Sequence, residues 1–191
     1  MSSGDSGSTA LQVCLFGLGE AGSLLATDLV RAGASVSAYD PAEVATPAGV
    51  TRRPHPALAL RPLDRSVDLV LAATGGDESR LALLQAIDAI DAGTLYADVA
   101  SAAPGVKLDL ADQAIRRDVE FVDVALLGMV PGNGLATPAL AAGPGADRLA
   151  DMVNPLGAKM EPITGPPGAA TAKKLLRSVM MKGMASVLVE A

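Results

Sequence analysis

The sequence has no tryptophan, two tyrosines and two phenylalanines. So small an aromatic supply disfavours an all-β sandwich. Hydrophobic residues still make up 50% of the chain, mostly Ala, Val and Leu, which favours an α/β core packed from small residues. Basic residues are outnumbered, 15 against 21 acidic, and form no run; the net charge of −6 argues against a nucleic-acid partner. The single cysteine, Cys14, lies in an apolar strand pattern. It excludes a disulfide framework and suits a reducing cytoplasm. One cysteine and one histidine, His55, cannot form a zinc site at the usual spacings. Charge or glycine breaks every apolar stretch, so no membrane span is expected. The opening "MSSGDSGST" lacks the basic and apolar segments of a signal peptide; residues 1–10 read as a disordered tail. The 191 residues suffice for one good core, or for a large and a small domain.

What is present alternates regularly. "LQVCLF" (Leu11–Phe16) reads as a strand buried on both faces, followed by a glycine loop and a helix from Glu20 to Ala32 closed by Gly33. "ASVSAYD" is a second strand ending at Asp40, and residues 41–65 form a loop with at most a short helix. "VDLVLAAT", "TLYADVA" and "EFVDVAL" supply three more strands, with helices over "DESRLALLQAIDAI" and from about Pro104. "TPALAAG" and "AKMEPIT" add a sixth and a seventh strand around the helical stretch Ala146–Asn154. Strand alternating with helix predicts a Rossmann-like, doubly wound parallel sheet.

From Gly168 to Ala191 the helical pattern is interrupted only by Gly183, over a length of about 36 Å at 1.5 Å per residue. Leu175, Leu176, Val179, Met180, Met184, Val187 and Leu188 form a broad apolar face that requires cover. Two covers are expected: a partner subunit, making a homo-oligomer through this helix, or a further part of a longer protein. Residues 11–165 are therefore read as one domain and 166–191 as the start of a long linking helix. Met180, Met181 and Met184 read as core or interface.

Gly17-Leu18-Gly19-Glu20-Ala21-Gly22 has the Gly-x-Gly-x-x-Gly spacing. A strand–helix turn needs glycines too, so the motif alone decides nothing. Here it follows a strand, opens a helix, and is answered by an acid at the end of the next strand. Gly17 permits the tight turn, Gly19 the approach of a pyrophosphate, and Gly22 close helix–sheet packing. The helix N-terminus supplies free N–H groups and a positive dipole end. Asp40 is placed to bind the adenosine ribose and to repel a 2′-phosphate. That favours NAD over NADP, with Arg52 and Arg53 nearby leaving the choice open. Thr74 ends the third strand, where cofactor contacts gather, although it serves equally as a plain strand end. His55 sits between prolines in a loop and reads as a surface residue. Ser101 has no histidine–acid partner, which excludes hydrolase chemistry.

Four stretches together resemble the β-hydroxyacid dehydrogenase family, which includes the 3-hydroxyisobutyrate and 6-phosphogluconate dehydrogenases. They are "VCLFGLGEAG", "YADVASAAPG", "FVDVALLGMVPGNGLATPALAAG" and "GPPGAATAKKLLRSVMMKG". The resemblance covers nearly all of the chain from residue 11. It implies hydride transfer between NAD or NADP and a small hydroxy acid, with a lysine handling the hydroxyl proton. That lysine falls on Lys174, with Lys173 as the alternative register. A lysine serves because burial can bring its pKa towards neutrality. Arg177 and Ser178, at i+3 and i+4, can face the same pocket, and Arg177 could hold a carboxylate through two bonds. Without the resemblance, all three would read as a solvated basic helix face.

The sequence departs from the family pattern in three places. Arg177-Ser178 replaces Asn-Asn after the lysine, Ala100-Ser101 replaces Ser-Thr, and Leu127-Gly128-Met129 replaces Ser-Gly-Gly. Ser101 and Gly128 remain the substrate-binding candidates, with the loop Gly128–Gly134 expected to line the site. "KLLRSVMMKG" is similar to the L-threonate dehydrogenase-type branch. The resemblance also implies a further C-terminal helical domain of roughly a hundred residues, enough for its own core. Two other functions stay open: a cofactor-binding sensor or interaction module without catalysis, and imine reduction on the same scaffold.

Overall fold

The computed structural model describes residues 10–61 and 66–190, the last three by backbone alone. Residues 1–9 of the expected tail and the Leu188 side chain lie outside the described residues. The first strand, β1 (Gln12–Phe16), leads into helix α1 (Glu20–Arg31), and β2 (Ser35–Tyr39) follows. Next come β3 (Thr51–Arg52), α2 (Pro56–Leu60), β4 (Leu69–Ala72), α3 (Ser79–Ile87), β5 (Leu95–Asp98) and α4 (Pro104–Ile115). The chain continues through β6 (Glu120–Leu126), β7 (Pro138–Ala142), α5 (Ala146–Val153), β8 (Lys159–Ile163) and the long α6 (Ala169–Glu190). The strands form one sheet in the order β3-β2-β1-β4-β5-β6-β7-β8.

Both faces of this sheet are covered, as the continuous apolar strands require. Val13 and Leu15 of β1 join Leu25 and Leu29 of α1 in one core. Cys14 and Phe16 alternate to the other face with Val70, Tyr96 and Leu110. The four aromatic rings of the sequence all pair on that second face, Phe16 edge-on to Tyr39 and Tyr96 stacked on Phe121, each with centroids 5.8 Å apart. A smaller cluster of Ala125, Leu140, Ala142 and Ala170 seats the start of α6 on β6 and β7.

Two features differ from the sequence expectation. β7 runs antiparallel to β6, with β8 parallel to β7, so the sheet is mixed at this edge. The cause is the connection: between Leu126 and Pro138 there is only one 3₁₀ turn, Gly134–Ala136, and no crossover helix. A parallel neighbour needs a crossover, usually helical, whereas a loop can simply turn the chain back. The segment 41–65 also contributes the edge strand β3, paired with Ser37 and Ala38, as well as the short helix α2.

The strand order places the switch point between β1 and β4, since the connection from β1 runs to β2 on one side and that from β4 runs to β5 on the other. In open α/β sheets the crevice at such a point receives ligands. The glycine loop lies at that end of β1.

Candidate functional site

The three loop glycines do different jobs. Gly17 has a left-handed backbone (φ +93°), and a Cβ there would stand 2.6 Å from the Ala73 carbonyl oxygen. A Cβ on Gly22 would stand 2.0 Å from the carbonyl oxygen of Gly17, so α1 lies directly against its own loop. Gly19 is exposed, and nothing comes within 4 Å of where its Cβ would be. The space over Gly19 opens at the N-terminus of α1, which no side chain caps. Uncapped amides beside an open glycine fit a pyrophosphate. Glu20 and Ala21 form the first turn of the helix behind this opening.

Asp40 is fixed by two backbone amides. Leu18 N–H donates to its Oδ2 at 2.7 Å, and Ala42 N–H to its Oδ1 at 2.8 Å. Its negative charge is thereby held at the glycine loop. Arg52 is turned to other use: its guanidinium donates to the carbonyls of Val44 (3.0 Å), Asp40 (3.2 Å) and Ala42. His55 accepts from Ala57 N–H through Nδ1 at 3.3 Å and caps α2.

Beside the glycine loop lies a hollow of about 220 Å³, with Ala21, Thr74, Gly76, Ala100, Ser101 and Leu126 in its walls. Leu126 also borders a second, open cleft of about 390 Å³. There Gly128 and Met129 face Lys174, Arg177, Ser178 and Lys182 along α6. Lys174 donates through Nζ to Ser101 Oγ at 3.3 Å, linking the two walls. Lys173 is exposed and lines neither space. The structure thus brings Gly128, Lys174, Arg177 and Ser178 around one cleft, with Ser101 in the adjoining hollow and joined to it through Lys174. Of the loop Gly128–Gly134, only Gly128 and Met129 reach it. The far end is tied to α1, where Asp28 Oδ2 accepts from Leu135 N–H at 2.9 Å.

Three buried charges stand behind the cleft. Asp123 on β6 accepts from Gly168 N–H (3.0 Å), Thr171 N–H (2.9 Å) and Thr171 Oγ1 (2.6 Å), so its carboxylate seats the first turn of α6. A carboxylate at a helix N-terminus also meets the positive end of the dipole. Lys107 on α4 is fully buried, with Nζ 3.1 Å from Asp98 Oδ2 and 3.6 Å from Asp123 Oδ1. Its hydrogen bond goes to the Asp98 carbonyl at 3.0 Å; the contact with Oδ2 is an ion pair without hydrogen-bond alignment. Burial pushes the Asp98 carboxyl up, and Lys107 and the Ala100 amide pull it back. Lys174 is held below the ordinary lysine value of 10.5, first by burial and then by the charge of Lys107, with Asp123 opposing. Sequence reasoning gave no role to Lys107, Asp123, Asp28 or Lys182. One signal was available for Lys107: it shares the inward spacing of Leu110 and Ala114 on α4.

Residues 12–164 match the family model described as the NAD binding domain of 6-phosphogluconate dehydrogenase. The chain belongs to this family. No curated protein matches this NAD-binding domain, but many solved structures do. A conserved protein of unknown function, MTH1747, described as structurally similar to 3-hydroxyacid dehydrogenases, is 26% identical, with a TM-score of 0.80 over 94% of this chain and 68% of its own. The 3-hydroxyisobutyrate dehydrogenase of Mycobacterium tuberculosis is 21% identical (TM-score 0.75, over 91% of this chain and 60% of its own). A variant imine reductase from Myxococcus stipitatus, in complex with NAD+, is 17% identical (TM-score 0.82, 95% and 64%). The chain therefore spans roughly two thirds or less of the length of such relatives. The last two likenesses establish the fold alone. No helix among the described residues is long and apolar enough to cross a membrane.

Proposed function

We propose that this NAD-binding domain carries the cofactor site and the acid/base lysine of a dehydrogenase or reductase. Its substrate is a small hydroxy acid or the related carbonyl compound. The observation that carries the reading is the position of Lys174, half-buried and bonded to Ser101 where the cofactor hollow and the cleft meet. The nicotinamide would take or supply the hydride. Lys174 Nζ then accepts the hydroxyl proton as the carbonyl forms, and returns it in the reverse direction. Ser101 orients the amine. Arg177, on the same helix face, suits a carboxylate, with Ser178 beside it.

Lys174, Arg177 and Lys182 put three cationic side chains on the cleft, and among the described residues no acid lines it. That charge favours an anionic substrate over a cationic iminium, so a hydroxy acid is preferred to a cyclic imine. The cofactor is NAD or NADP, with NAD favoured because the fixed charge of Asp40 opposes a 2′-phosphate and Arg52 is occupied by loop carbonyls. A second copy, or a further helical segment, covers the exposed apolar residues of α6, among them Leu176 and Val179. The single buried thiol, Cys14, suits the cytoplasm.

The test follows reduced-nicotinamide absorbance with a panel of hydroxy acids, the matching carbonyl acids and cyclic imines. Turnover of an acid is expected, with Lys174→Met lowering kcat by about 10²–10⁴-fold at unchanged cofactor affinity. Oxidation should speed up as pH rises and Lys174 loses its proton, with a midpoint below 10.5. Turnover of imines alone would replace the substrate class. Cofactor binding without turnover of any of these compounds would leave a binding module.

A further inference from the structure

A fully buried lysine is costly to keep. Replacing a buried ion pair by apolar packing is often neutral or stabilising, so Lys107 needs an account beyond stability. It sits on α4 between the ends of β5 and β6, and every polar group it meets leads to the cleft. Asp98 precedes the segment that carries Ser101, and Ala100 N–H donates to its Oδ1 at 2.9 Å. Asp123 holds Gly168 and Thr171, and Thr171 lies three residues before Lys174 on α6. Lys107 therefore braces both the segment bearing Ser101 and the helix bearing Lys174. These are the two partners of the 3.3 Å bond.

We propose that Lys107 is a positioning residue for Lys174: from behind the cleft it fixes the two carboxylates that set the Lys174–Ser101 pair, and its ammonium keeps a positive charge beside the Lys174 amine. The proposal deepens the reading in which Lys174 is the acid/base and rests on it. Around Lys174, α4 contributes the charge of Lys107 and β6 that of Asp123, and β7 has no ionisable side chain. On α6 itself stand Lys173, Arg177 and Lys182. Asp98 lies one step further, paired with Lys107. Of these, Lys107 is the buried cation. Removing it takes away repulsion that favours the neutral amine, and leaves Asp123, which favours the charged one. Burial of Lys174 remains in either case, so its midpoint rises without reaching that of a free lysine.

The experiment reads the amine directly. The 191-residue chain is treated with an acylating reagent across a pH series, and modification of Lys174 is followed by peptide mass spectrometry, with Lys159 as the internal control. Lys107→Met is the first variant. Because it strands two buried carboxylates, Lys107→Met/Asp98→Asn is made alongside it to remove one charge of each sign. Either folded variant is expected to label Lys174 about three- to tenfold more slowly below its midpoint, since one pKa unit is a tenfold change in free amine. Lys107→Arg should restore most of the native profile, and Lys159 should not change. An unchanged Lys174 profile in the folded double variant would overturn the proposal, as would an equal slowing of Lys159. No turnover is needed for this readout. An inactive native protein would defeat the functional reading, while the labelling profile would still decide whether Lys107 governs the amine.

Discussion

The glycine loop and the lysine cleft adjoin each other, yet they are built in opposite ways. At the loop the work is done by backbone and by absent side chains. Gly17 and Gly22 are filled against carbonyl oxygens, Gly19 is left open, and even Asp40 acts by gripping two amides. At the cleft the work is done by charged side chains, and the backbone serves to hold them. The lesson is that the loop should fail by steric overlap, and the cleft by loss of charge.

The largest effect that could break this contrast is expected at Gly22→Ala. The new Cβ would be 2.0 Å from the Gly17 carbonyl oxygen, so α1 must move off the loop. A loss of roughly 2–3 kcal/mol is expected, seen as a lower urea midpoint. A variant as stable as its parent would show that the loop is not sterically locked. Gly19→Ala sharpens the point, because the same methyl group meets nothing within 4 Å. Stability should stay within about 0.5 kcal/mol, while calorimetric titration with NAD should show affinity reduced about tenfold or more, or roughly 1.4 kcal/mol. Equal affinity in that variant would move the pyrophosphate elsewhere. The smallest effect belongs to the tie between the two regions, Asp28→Ala. Leu135 N–H loses its acceptor, at a cost of about 1 kcal/mol. The cleft should loosen through Gly128 and Met129, raising KM for the acid more than it lowers kcat; a fall in kcat alone would argue against this tie.

The same division explains what could be read in advance. The glycine spacing, the strand before it, the helix after it and Asp40 are all local in sequence, so the glycine loop and its place at the head of α1 were legible. Strand and helix periodicity located most of the sheet. The direction of β7 was not legible, because the continuously apolar "PALAA" reads alike whichever way it runs, and only the helix-free connection from β6 decides it. β3 is two residues long, too short for any periodicity. Lys174 was singled out through a motif, whereas the residues packed behind it were not. Lys107 pairs with Asp98 and Asp123 across three elements. Asp28, with Arg31 three residues on, has the look of an ordinary surface ion pair, and it is one: the pair is present at 3.5 Å. Its second bond, to Leu135, spans 107 residues. Such distances in sequence leave no spacing to recognise.

The grip of Asp123 on the first turn of α6 has a mechanical consequence. It makes that turn a pivot, with Thr171 at the fulcrum. At 1.5 Å per residue, Lys174 lies about 4.5 Å along the helix from this point and Glu190 about 28 Å. A tilt that swings the far end by about 5 Å would displace Lys174 by less than about 1 Å. The long arm can shift to meet whatever docks on it, and the amine next to the fulcrum barely feels the movement.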